Sequence, residues 1–159
     1  MNHSGVNLAL LLMGGFRSLV DSATAELARR GYEDFRPALE FALRAIADGA
    51  DNASELGRRL SVSKQAASKT ISVLQERGYV NRDADPLDAR LKRLQVTPLG
   101  LEVLQQGEAI FDQLRERWGQ KIGLAQLATL EAHLAALVGP LPERFDIPGW
   151  MEENLGQSD

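Results

Sequence analysis

The stretch from Ala53 to Gly100 constrains the fold more than any other part of the chain. It reads ASELGRRLSVSKQAASKTISVLQERGYVNRDADPLDARLKRLQVTPLG. Asn52 followed by Glu55 has capping-box spacing, which places a helix start just after Asn52, with Leu56 and Leu60 facing inward. Ser61-Val62 makes a turn, and Ser63 suits the N-cap of a second helix over about residues 64–77. Ala67, Ile71 and Leu74 recur at helical steps as its buried stripe, and Gly78 stops it. Tyr79-Val80 opens a strand, and Asp83 to Ala89 forms a polar turn containing Pro86. On the return strand Leu94 and Val96 alternate with Arg93 and Gln95, so one face is buried and the other wet. Helix, tight turn, helix and basic hairpin in that order predict a winged helix-turn-helix.

The flanks are helical. Leu8, Leu12, Phe16, Leu19, Ala23 and Leu27 recur at three- and four-residue steps, predicting a helix from about residue 6 to Arg30 with one apolar face. Gly14-Gly15 in mid-helix predict a kink or the close approach of another backbone. Gly31 is a stop. Pro37 opens a helix with Leu39, Leu43 and Ile46 on its stripe and Phe41 on a flank, ended by Gly49. Thr97-Pro98 starts a long helix of about 20 residues carrying Leu104, Phe111, Leu114, Trp118 and Ile122. A final helix holds Leu124, Leu127, Leu130, Leu134, Leu137 and Val138 and ends at Gly139-Pro140. The fold class is therefore mostly α with a small β-hairpin wing, a winged helix-turn-helix flanked by long helices. Residues 6–31 and 98–138 read as dimerisation helices, 37–97 as the DNA-binding domain and 139–159 as a tail. That tail carries Phe145, Ile147, Trp150, Met151 and Leu155 among acids, which favours docking on a surface over disorder.

Net charge is −4, which alone argues against nucleic acid. Its distribution reverses that. Residues 55–95 hold nine Lys and Arg against five acids, a balance of +4, and the rest of the chain carries −8. A basic patch on an acidic body attracts phosphate locally. If Ala67, Ile71 and Leu74 face inward, Gln65, Ser68, Lys69 and Ser72 face outward, with Ser63 and Lys64 at the leading end. Helix N-terminal side chains reach base edges in the major groove. Gln65 suits adenine, Lys64 and Lys69 suit guanine or phosphate, and Ala66 suits a thymine methyl. Arg90 at the hairpin tip suits a narrow minor groove, and Asp88 can fix it by a charge-assisted hydrogen bond. Arg82 and Lys92 either meet phosphate or brace the wing. Arg58 and Arg59 read as solvated. The alternative for the whole face is an ordinary solvated surface.

Several chemistries are excluded. Cysteine is absent, so no disulfide, thiolate switch or zinc-finger site is available, which fits a cytoplasmic protein. His3 and His133 are the only histidines and lie far apart, so no metal is expected. No P-loop, GxGxxG or activated-serine pattern occurs, so neither cofactor nor enzymatic activity is expected. The apolar run at residues 6–13 has no preceding Lys or Arg and is far short of the ~20 residues a membrane span needs, so no membrane partner is expected.

Residues 53–100 resemble the winged-helix core of MarR-type regulators. The resemblance rests on Asp88-Ala89-Arg90, followed by Val96-Thr97-Pro98-Leu99-Gly100, and on Leu74-Gln75-Glu76-Arg77-Gly78-Tyr79-Val80-Asn81-Arg82. With the flanking helices it extends over about residues 6–138. It implies a homodimer that regulates transcription and releases DNA when a small, often phenolic, molecule binds between the dimerisation and DNA-binding parts. Apart from the resemblance, three long apolar helices are more than one small winged helix can cover, which also suggests a second copy. A two-fold dimer sets two recognition helices roughly 34–36 Å apart on a near-palindromic duplex. Phe16, Arg17, Val20 and Phe41 either line an effector pocket or serve as core and surface, and Arg17 would suit an anionic ligand. The competing functional classes are a winged-helix module that binds protein and not DNA, and a small-molecule binder with a vestigial wing.

Overall fold

A computed structural model describes residues 3–139. The reading of the C-terminal tail as a docking segment lies outside the described residues. The elements are α1 (Ser4–Arg29), α2 (Pro37–Ala47), α3 (Ala53–Leu60), α4 (Lys64–Glu76), β1 (Val80–Ala84), β2 (Lys92–Val96), α5 (Pro98–Ile122) and α6 (Leu124–Val138). The fold is mostly helical with one two-stranded antiparallel hairpin, as the pattern of apolar residues predicts.

Local capping fixes the boundaries. Asn52 accepts a hydrogen bond from the Glu55 N–H, Ser63 from the Ala66 N–H and Thr97 from the Gly100 N–H. Each satisfies a backbone donor that the first helical turn cannot. Pro37 and Pro98 sit in the first turns of their helices. Gly31, Gly49 and Gly78 leave the helices at positive φ, where a side chain would be strained.

The core gathers α2, α3, α4 and the base of the hairpin around Leu39, Leu43, Leu56, Ile71 and Leu74, all at most 1% exposed. Burying each such side chain contributes about 1.5–3 kcal/mol. Phe35, in the loop before α2, meets Tyr79 edge to face at 5.2 Å between centroids. The C-terminal half of α1 closes the core with Ala23 and Leu27, and α5 closes it with Val103, Leu104, Ile110 and Leu114.

Four expectations change. The apolar stripe of α1 is not one buried face. Val20, Ala23 and Leu27 are buried, whereas Leu8 and Leu12 are 58% and 48% exposed among the described residues. The glycine pair leaves α1 unbroken, and Gly15 faces the Trp118 side chain, not a backbone. The wing turn is shorter than expected, because Asp83 and Ala84 still pair with Arg93 and Lys92. On α6 only Leu127 is buried, and Leu137 is 82% exposed. By length and composition alone α1 also meets the requirement for a membrane span, since the helix is longer than its most apolar run.

Candidate nucleic-acid interface

The inward stripe of α4 is Ala67, Thr70, Ile71 and Leu74. Rotation of the helix therefore leaves Lys64, Gln65, Ala66, Lys69 and Ser72 exposed, with Ser68 half-buried beside them. Among the described residues no ion pair engages Lys64, Lys69, Arg82 or Lys92. Two of the hydroxyls are already in use within the helix. Ser63 Oγ accepts the Ala66 N–H, and Ser72 Oγ donates to the Ser68 carbonyl. The long polar groups on this face are thus the amide of Gln65 and two ammonium ions.

The wing presents a different geometry from the one expected. Asp88 accepts the backbone N–H of Arg90 at 3.1 Å, while its carboxylate lies 3.9 Å from the Arg90 guanidinium. That is too long for a hydrogen bond. Asp88 shapes the tip and leaves the guanidinium loose, with the Arg90 side chain 94% exposed. Its charge stays available to an external anion.

A second acid holds the wing in place. The Asp85 side chain is only 3% exposed and lies 2.7 Å from Arg93 Nε. Its other oxygen accepts the Leu87 N–H at 2.8 Å. Arg93 also reaches Asp51 ahead of α3 at 3.5 Å, and the Leu94 N–H donates to the Asp51 carbonyl. Arg93 thereby ties the wing to the helix-turn-helix. Bracing falls to Arg93, while Arg82 and Lys92 on the same hairpin are exposed and have no acidic partner among the described residues.

Arg58 and Arg59, expected as solvated, both bind Glu55, at 2.6 and 2.9 Å. These bonds hold the Glu55 carboxyl down at about 2. Arg59 continues to the Asp48 carbonyl at the end of α2, locking α3 against α2. Gly57 permits the turn into α4, since a Cβ there would lie 2.9 Å from the Val62 carbonyl oxygen.

Beneath this lobe a cavity of about 520 Å³ opens between α1, α2 and α5. Phe16, Val20 and Phe41 line it, as one reading of the sequence expected. Arg17 does not, and lies near Asp21 one helical turn on. Glu40, Arg44 and Glu108 supply charge to the wall. Arg44 bonds Glu108 at 2.9 Å and lies 3.7 Å from Glu40, so it links α2 to α5. Burial pushes the Glu40 carboxyl above the ordinary carboxylate range, against the opposing pull of Arg44.

Comparison with known proteins places this arrangement. Residues 41–91 match the family model described as MarR family. The winged helix is thus similar to a MarR-family domain, and the chain carries the MarR fold. Solved structures agree on the fold. The reduced form of MarR from E. coli superposes with a TM-score of 0.69 at 24% identity, covering 84% of this chain and 96% of that one. A MarR-family transcriptional regulator from a Rhodococcus species gives 0.64 at 18% identity, covering 89% of this chain and all of the other. CouR from Rhodococcus jostii, solved with p-coumaroyl-CoA bound, gives 0.59 at 20% identity over 87% of this chain and 95% of that one. Among curated proteins nothing matches.

Within the MarR fold, sequence reasoning placed every residue of the α4 face but missed Asp85 and Arg93 as the wing's fastening. The available signal was an Asp before Pro86 at the hairpin turn, the position where a carboxylate organises a loop. It also missed why Gly100 closes the motif. A Cβ there would lie 2.3 Å from the Tyr79 carbonyl oxygen and 2.6 Å from a Val96 methyl. The Tyr79 oxygen is held in that place by the Thr97 N–H.

Proposed function

We propose that this chain is a homodimeric, sequence-specific DNA-binding transcriptional regulator, acting in the cytoplasm as a repressor whose DNA affinity a small molecule controls. One observation carries the reading. An exposed α4 face with Lys64, Gln65 and Lys69 stands beside a wing whose Arg90 is exposed and loosely held. Ser63, Ala66, Ser68 and Ser72 complete the surface laid into the major groove, Ser63 and Ser72 chiefly as helix supports. Arg90 enters the minor groove with Asp88 shaping its turn, and Arg82 and Lys92 meet phosphate. The effector sits in the cavity that Phe16, Val20 and Phe41 line, and Arg17 has no part in it. The ligand in CouR supports an effector-binding role for this architecture.

Dimerisation is supported by what α1 and α6 leave uncovered. Val6, Leu10, Leu11, Met13, Leu124 and Leu130 are all at least 43% exposed. So many large apolar side chains left exposed on two helices point to an interface. A second copy covers it and turns residues 6–31 and 98–138 into the dimerisation part, leaving 37–97 to DNA. The same contact accounts for the apolarity of α1 without a membrane. The test joins sedimentation at micromolar concentration with a mobility-shift titration on the chain's own upstream DNA. A dimer and a discrete, salt-sensitive complex are expected. A monomer that ignores this DNA, or one recovered instead with a protein partner, overturns the reading.

A further inference from the structure

The cavity between α1, α2 and α5 has the wrong charge for the anionic ligand that Arg17 would suit. Its walls are mostly apolar, with Phe16, Phe41 and Phe111 presenting rings. Among the described residues its ionisable lining is Glu40, Glu108 and Asp112 against one cation, Arg44. That guanidinium serves two of the carboxylates, Glu40 and Glu108, while Asp112 lies in the field of Arg115 outside the cavity. Arg44 lies 2.9 Å from Glu108 and only 3.7 Å from Glu40.

Glu40 is built into the wall. The residue is 9% exposed, and its Oε1 rests against Gly107 of α5, where a Cβ would lie 2.6 Å away. A glycine on the neighbouring helix makes the space this carboxylate occupies. A buried carboxylate with a distant partner is unfavourable unless another positive charge approaches it. Aromatic rings that face the same space favour that charge further. An anion entering here would meet a net negative wall in a low-dielectric site.

We propose that this cavity binds an organic cation with an aromatic or alkyl body, a protonated amine or quaternary onium, seated on Glu40 with Asp112 at the rim. The proposal rests on the effector reading of the same cavity and names the class of ligand. It also supplies the coupling. Arg44 on α2 holds Glu108 on α5, and α2 packs against the helix-turn-helix. A cation competing for these carboxylates loosens Arg44 and frees the DNA-binding lobe to shift against α5. A ligand changes DNA affinity only through such a difference between states.

The test uses two probes of matched shape and opposite charge, tetraphenylphosphonium and tetraphenylborate, titrated calorimetrically into the full chain. The phosphonium is expected to bind saturably, once per protomer, and the borate, titrated in a separate sample, not to bind. Glu40→Gln should weaken the phosphonium about tenfold or more, and Asp112→Asn severalfold. If Glu40→Gln fails to fold by circular dichroism, the exposed Asp112→Asn decides. Equal binding of the borate in its own titration, no phosphonium binding, or unchanged affinity in the folded variants overturns the proposal. A mobility shift run alongside separates the two readings. Phosphonium binding without a DNA complex sinks the regulator and leaves the cation site. A DNA complex without phosphonium binding does the reverse.

Discussion

Replacing Asp85 by Ala removes an ion pair with Arg93 Nε at 2.7 Å and a hydrogen bond from the Leu87 N–H at 2.8 Å. A hydrogen bond to a charged group contributes about 1.5–3 kcal/mol. That bond together with the ion pair sets an upper figure, and exposure lowers it. The Leu87 side chain is 93% exposed, so water can reach its N–H once Asp85 is gone. Arg93 is half-exposed and keeps Asp51 at 3.5 Å. The expected net loss is about 2 kcal/mol, which is a shift of about 1 M in the urea midpoint. Asp85→Asn keeps an acceptor for Leu87 and loses the charge, so about half that loss is expected. Pairing Asp85→Ala with Arg93→Ala in a double-mutant cycle isolates the bridge, with a coupling of about 1 kcal/mol or more. DNA affinity should fall as well, because Arg90 is carried on the loosened turn. Additivity of the two substitutions to within about 0.5 kcal/mol would refute the fastening role of this pair.

Arg90→Ala should weaken DNA binding and flatten the dependence of log affinity on log salt by about 2 for a dimer, since two cations are lost; an unchanged slope in a mobility-shift series removes the wing tip from the interface. Gly100→Ala drives a methyl into a backbone oxygen that cannot yield, and should cost about 3 kcal/mol or more in a urea melt. Glu40→Gln should change stability with pH in a defined sense. The folded Glu40 carboxyl titrates above its unfolded value of 4.5, so its contribution is full below 4.5 and is lost as pH rises through the raised value. The variant should therefore exceed the native chain in urea stability at pH 7, and the gap should close by pH 4.

How much of this was legible beforehand differs from one element to the next. Caps and stops were readable because they are local. Asn52, Ser63 and Thr97 satisfy donors within three residues of themselves. The outward face of α4 was readable because the spacing of Ala67, Ile71 and Leu74 fixes the helix rotation. The Asp88–Arg90 pair was misjudged in detail, since a spacing of two residues does not say whether the carboxylate takes the side chain or the backbone N–H.

The linear order of residues determined where the helices begin and end, which side of α4 looks outward, and that a basic hairpin follows it. Those properties depend on neighbours a few positions away, and hydrogen-bond geometry acts at that range. Only the folded arrangement decided that Arg93 reaches both Asp85 and Asp51, that Glu40 rests on Gly107, and that one half of α1 is buried and the other bare. These contacts join residues far apart along the chain. Their existence depends on how whole helices pack, and no pattern within one helix records that.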